Sequence, residues 1–262
     1  MQSDTNPIKS SNYSPRNSSK GAIVKEAFAL FRTLDTTINQ DDLRRKVLDG
    51  DVFQKGSFET RNSIWKALRH RYLVVAPEWI AASLVRSTEF GPQSAEFLSL
   101  AYIYYAFRDR LTLEFILGPV WEKWQDGVTT LDRSDFQVFM EQLAAENCEI
   151  KKWHDSTKKK LASQALSALR DFGLLKGTQS KHIQRPTVAS ETIFHLLCVI
   201  IADGKEGRAI IESPEWRLFL WSETDISNAL LTLAQKKWIN FEKSGSTVIL
   251  NLVRLPGETY EQ

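Results

Sequence analysis

The side chains best placed to do chemistry are Lys158, Lys159 and Lys160, followed by Lys176, Lys181, His182 and Arg185. Their chemistry is the binding of phosphate. The stretch 155–172, DSTKKKLASQALSALRDF, reads as a helix with Leu161, Ala165, Leu166 and Leu169 on its inward face. Ser156 or Thr157 is the expected N-cap, a contact worth about 1 kcal/mol. The three lysines then fall in the first turn, against the positive end of the helix dipole, at a cost of about 0.3–1 kcal/mol each. A negatively charged partner removes that conflict, and phosphate oxygens also accept hydrogen bonds from the free amides of a helix start. The competing reading is a solvated lysine cluster over a well-capped helix.

The elements that must hold these residues follow from the local pattern. Gly173 suits a helix end because it accepts positive φ. Leu174–Lys176 and His182–Gln184 are then spaced to pair across residues 177–181 as a short hairpin. Helix plus basic hairpin is the local grammar of a winged helix-turn-helix. A similar order recurs downstream: Ala229-Leu230-x-x-Leu233 echoes Ala165-Leu166-x-x-Leu169 and leads into the alternating WINFEKSGSTVILNLV, a second hairpin.

A second basic group lies on the helix expected from Phe58 to Leu73. Arg61, Lys66, Arg69 and Arg71 are its basic residues; Ile64, Trp65, Leu68 and Tyr72 form its packing stripe. At about 100° per residue the basic positions do not fall on one line. They read either as flanks of a phosphate track, extended by Arg44, Arg45 and Lys46, or as the wet side of a bundle helix. Trp216 and Trp221, close to Phe219, read as core or as a protein interface.

The whole chain narrows the functional classes. Its 262 residues, 42% hydrophobic, can bury a substantial core, and its formal net charge is only +2. Nucleic-acid binding must therefore come from local patches. Two cysteines, Cys148 and Cys198, lack ligand spacing and imply a reduced setting with structural thiols. No phosphate loop, HExxH, GxSxG or GxGxxG motif occurs, so neither an enzyme nor a cofactor or metal is expected. His195, inside IFHLLCVIIA, reads as a hydrogen-bonded core residue. That run is too short for a membrane span of about 20 residues, and no apolar signal segment opens the chain. The expectation is a soluble cytoplasmic protein.

The expected fold is mainly α: an N-terminal helical bundle followed by winged-helix-like units with short β-hairpins. The expected divisions are a disordered leader (1–20), a helical domain (21–127), a winged-helix-like unit (128–190) and a second helix-plus-hairpin unit (191–262).

The segments SPRNSSKGAIVKEAFALFRTL, FETRNSIWKALRHRYL, DFQVFMEQL and STKKKLASQALSALRDFGLLKG, in this order over most of residues 13–190, resemble the BrxA family. These are small non-catalytic components of BREX bacteriophage-defence systems. The resemblance implies a mostly helical accessory protein that binds double-stranded DNA and is encoded beside a methyltransferase, an ATPase and other defence proteins. At single residues it carries over only to Lys158, Lys159 and Lys160 and to the basic helix Arg61–Arg71. Three functions compete at this point: a sequence-tolerant DNA-binding module, a scaffold for other BREX proteins, and a transcriptional regulator.

Overall fold

Two stretches, 95–107 and 190–202, carry apolar side chains on every face, and they become the centre of the molecule. A helix that is apolar all round is a buried helix. The computed structural model describes residues 8–34, 40–75 and 77–258. In chain order its helices begin with α1 (Val24–Thr33), α2 (Gln40–Asp49), α3 (Phe58–Leu68), α4 (Trp79–Ser87), α5 (Ala95–Phe107), α6 (Arg110–Phe115) and α7 (Trp121–Gln125). Strand β1 (Thr130–Leu131) then leads into α8 (Arg133–Glu146), α9 (Cys148–Lys151), α10 (Asp155–Asp171) and the strands β2 (Leu175–Lys176) and β3 (Lys181–Ile183). The chain continues with α11 (Ser190–Ala202), α12 (Arg208–Ile211), α13 (Glu223–Gln235), β4 (Ile239–Ser244) and β5 (Thr247–Leu252). The protein is mainly helical, with two small antiparallel sheets among the described residues.

Helices α5 and α11 pack together, so residues far apart in sequence share one core. Ser99 and Thr192 share a hydroxyl–hydroxyl bond of 2.7 Å, and Tyr104 Oη shares one of 2.7 Å with His195 Nδ1. Tyr102 Oη donates to the Leu218 carbonyl at 2.9 Å. One buried apolar cluster runs from Ala22 to Val248. Buried Phe172, at the end of α10, lies with its ring 5.7 Å from Tyr102 and 5.2 Å from Tyr105, both on α5. That contact fixes the basic helix to the centre.

Two sequence expectations are altered here. The Phe58–Leu73 helix becomes α3 followed by a π-helical turn, Arg69–Leu73. Of the leader expected to be disordered over residues 1–20, residues 8–20 pack on the protein, while residues 1–7 lie outside those described. A second π-helical turn, Ile116–Val120, joins α6 to α7 around Gly118-Pro119; proline removes a donor and widens the local ladder. Pro15–Ser18 forms a 3₁₀ turn against α10. Lys9 bonds Glu215 at 2.7 Å and also pairs with Asp203.

Candidate nucleic-acid interface

Helix α10 starts at Asp155, as the sequence pattern suggests, but without the expected cap. His154, in extended conformation, is the N-cap and uses no side-chain contact; its carbonyl accepts from the amides of Thr157 (2.9 Å) and Lys158 (3.1 Å). Ser156 and Thr157 are therefore inside the first turn and do not cap. Asp155 is the first helical residue and places an acidic group at the positive end of the dipole, a favourable arrangement. The three lysines begin the second turn, and the expected conflict with the dipole is largely absent. Their distinguishing property is pairing. Among the described residues no ion pair involves Lys158, Lys159 or Lys160, and Lys159 and Lys160 are exposed. Two cations near them in sequence are taken up: Lys152 by Glu149 and Arg170 by Asp171.

The hairpin after α10 forms as spaced. Gly173 takes φ 85°, its amide donates to Arg170 O, and Leu174 N closes the helix on Leu169 O at 2.9 Å. Leu175 pairs with Ile183 and Lys176 with His182. The other side of β3 pairs with β1, Thr130 opposite His182, so the sheet has the order β1-β3-β2. Gly177 is at φ +90°, and a Cβ there would lie 2.1 Å from the Ser180 carbonyl oxygen, so the tight turn excludes any side chain. The cations of the hairpin differ in status. Lys176 is exposed and unpaired among the described residues. Lys181 Nζ donates to Thr178 O at 3.1 Å. Arg185 makes a two-pronged contact with the Asp225 carboxylate (3.1 and 2.8 Å) and lies over the Trp124 ring. Arg185 ties the hairpin to α13 and is a brace, not an open contact.

The second basic group divides in the same way. Arg71 is 2% exposed, and its guanidinium donates to the carbonyls of Lys20, Gly21 and Ala22 and to Asn17 Oδ1 (2.6 Å), with the Tyr105 ring beneath it. A buried guanidinium saturated by carbonyls cannot reach a duplex, so Arg71 leaves the set of DNA contacts. Arg61 closes the loop after α2 by donating to the carbonyls of Leu48, Lys55 and Gly56. Lys66 and Arg69 remain exposed. They border a shallow hollow of about 680 Å³ shared with Arg16 and Lys20 of the leader. The leader was read as disordered, so its cations were absent from the expected surface.

The structure brings the two groups near each other through that leader. A Cβ on Gly21 would touch Gln164 Oε1 at 3.0 Å, and Gln164 is four residues after Lys160, on the same side of α10. Beyond it, His70 is half-buried, and burial, then Arg16, Arg108 and Arg71, push its imidazole down to about 4. The imidazole is neutral at pH 7, chiefly because it is buried, with the neighbouring guanidiniums adding to the effect.

Other candidates resolve as structure. Trp216 is 1% exposed, donates through Nε1 to Ile210 O at 2.8 Å and stacks on Trp221, so it is core and not an interface. His195 is a hydrogen-bonded core residue, as its apolar setting suggests. Both cysteines are free; Cys198 is buried, and burial pushes its thiol up to about 12. Cys148 is exposed. Among the described residues no three His, Cys, Asp or Glu side chains gather as metal ligands, and no helix is long and apolar enough to cross a membrane.

Comparison with known proteins follows the same segments. The crystal structure of an uncharacterized protein from Magnetospirillum magneticum has the same fold, with a TM-score of 0.61 at 16% identity over 80% of this chain and 99% of that one. A "BREX protein BrxA" of Bacillus cereus (strain H3081.97) is 24% identical over 165 residues, 62% of this chain and 79% of that protein. The profile of the BrxA family matches residues 11–197. That match takes in the docked leader, the α3 region and the whole α8–β3 unit, and by it the chain belongs to the BrxA family.

Proposed function

We propose that this protein is a non-catalytic duplex-DNA-binding component of a BREX-type bacteriophage-defence system. The observation that carries the reading is the open lysine run Lys158–Lys160 on a helix anchored to the core, followed directly by a hairpin bearing open Lys176. The order β1, α8, α9, α10, β2, β3 supports a winged-helix unit, in which α10 enters a groove and the hairpin lies along the backbone. Lys66, Arg69, Arg16 and Lys20 extend the positive surface and supply phosphate contacts that carry no sequence information. The defence setting is supported by family membership and by the name of the Bacillus cereus relative.

The test is fluorescence anisotropy of a labelled duplex across a salt series. Four to six phosphate contacts give a log–log slope of roughly −4 to −5. Replacing Lys158, Lys159 and Lys160 with Glu is expected to weaken binding by at least about a hundredfold with an unchanged circular-dichroism spectrum. Wild-type affinity in that variant removes α10 from the interface. A single enriched site in binding selection would instead favour a regulator.

A further inference from the structure

The hollow of about 680 Å³ between the leader and α3 carries more than positive charge. On the reading that this surface meets DNA, we propose that the hollow binds a nucleotide whose base is unpaired. The base lies on Phe58, and its phosphates lie among Arg16, Lys20, Lys66 and Arg69.

Phe58 is the unusual member of this groove. It is one of two phenylalanines more than half exposed among the described residues, and its ring makes no aromatic or cation–π contact there. Its support is rigid. Ser57 caps α3 by accepting from the Thr60 amide at 3.2 Å, and Arg61 pins the preceding loop through the Lys55 and Gly56 carbonyls. Asn62 and Lys66 follow Phe58 at intervals of four, on the same side of α3. Ring, amide and ammonium therefore form one stripe about 12 Å long, facing the leader across the groove. A flat apolar ring at one end and cations at the other match the two halves of a nucleotide. Stacking on an aromatic ring is open to every base, because each has a π-face.

The hydrogen-bonding groups distinguish a nucleotide from a bare phosphate. Phosphate oxygens only accept, and the four cations suit them; none of the four pairs with a carboxylate among the described residues. The same wall also holds acceptors. Asn62 Oδ1 is shut off from water with no donor to meet it, and native structures rarely keep such a group. The Glu59 carboxylate is exposed and forms no ion pair among the described residues. A phosphate offers neither acceptor a hydrogen. Every base does, from an exocyclic amine or a ring N–H on its Watson–Crick edge. The terminal torsion of asparagine is broad, and its rotation brings the Asn62 oxygen to a donor in the groove. In an intact duplex that edge is paired and the faces are stacked. Phe58 and Asn62 are therefore met only by a strand end, a bulge or a base turned out of the helix.

The experiment measures fluorescence anisotropy with the full chain and three probes: a blunt duplex, the same duplex with one bulged nucleotide, and that bulge made abasic. The bulged duplex is expected to bind about fivefold or more tightly than either of the others. Phe58→Ala, an exposed change that spares the core, should erase this preference and leave blunt-duplex affinity unchanged. Phe58→Trp should keep the preference, and Asn62→Ala should lose part of it. A preference that survives Phe58→Ala overturns the site. Titration calorimetry with deoxyadenosine monophosphate separates the sources. A Phe58-dependent bulge preference assigns the DNA strand; Phe58-dependent binding of the mononucleotide without that preference assigns a free nucleotide. Absence of both overturns the proposal. Failure to bind the blunt duplex at all, with Phe58-dependent mononucleotide binding retained, overturns the DNA reading and leaves the groove assigned.

Discussion

The two helix–hairpin units share a backbone plan and differ in what becomes of their charges. Placing Ala165-Leu166-Leu169 on Ala229-Leu230-Leu233 puts Gly173 on Lys237, and both take positive φ, 85° and 58°. Both helices then close alike, Leu174 N on Leu169 O and Trp238 N on Leu233 O at 3.0 Å. In that register Lys158, Lys159 and Lys160 fall on Ser222, Glu223 and Thr224. Ser222 caps α13 in a reciprocal box with Asp225, while Glu223 pairs with Lys243 and with Arg208. Every charge at the start of α13 has a partner inside the molecule, and the lysines at the start of α10 have none among the described residues. The same geometry serves as a brace where its charges are satisfied and offers contact where they are not.

The comparison breaks most visibly at Arg254. It is 3% exposed, grips Glu191 with two bonds of 2.5 and 2.7 Å, and lies over the rings of Phe194 and Trp238. Arg254→Ala strands a half-buried carboxylate and should cost about 3 kcal/mol in urea unfolding, leaving duplex affinity unchanged in the folded protein. A comparable free energy, about 2.7 kcal/mol for a hundredfold loss, is expected in binding and not in stability when the α10 lysines become Glu. Asp225→Ala removes both the reciprocal cap and the partner of Arg185, and should lower stability by about 1 kcal/mol. Lys237→Gly relieves a left-handed residue and should raise stability by about 1 kcal/mol, measurable as a higher unfolding midpoint. A loss of DNA binding in either Asp225→Ala or Lys237→Gly would mean that the second unit also makes contact.

Acid should act on the brace first. Burial alone would raise Glu191, but His195 and Arg254 outweigh it and hold the carboxyl near 2; Glu215 is likewise held near 2 against burial by Lys9, Ser213 and Lys205. Both folded values lie below the ordinary 4.5. The stability they add is complete above about pH 4.5 and lost as pH falls toward 2. His195, which burial pushes down, adds to that loss, because its unfolded imidazole takes up a proton below about 6.5 while the buried one resists it. Thermal unfolding followed from pH 7 to pH 3 should show a falling midpoint, with a shallower fall in Glu191→Gln.

What was legible in the sequence is what local chemistry decides. Helix periodicity, the Gly173 stop, both hairpins and the cluster Lys158–Lys160 are set by neighbours within a few residues. Strand β1 was not legible: two residues show no alternation, and Thr130–Leu131 exists only because β3 pairs with it. Nor was the fate of each cation. Arg69 and Arg71 are two residues apart, yet one faces water and the other is sealed by carbonyls of residues 20–22. The carbonyls that receive Arg71, and the indole that stacks on Trp216, are supplied by the fold and leave no mark on the local pattern. The leader misled for the same reason, since its serines and asparagines are polar by composition and ordered by distant partners.

The anchoring of that leader has a consequence for the order in which the chain can be completed. Lys9 needs Asp203 and Glu215, about two hundred residues further along, and α5 needs α11 to cover it. A chain emerging from its N-terminus can form its first helices early, but their central apolar helix stays uncovered until residues 190–202 arrive. The first described residues to be synthesised are therefore among the last to settle, and the surface they help to build does not exist on a partly made chain.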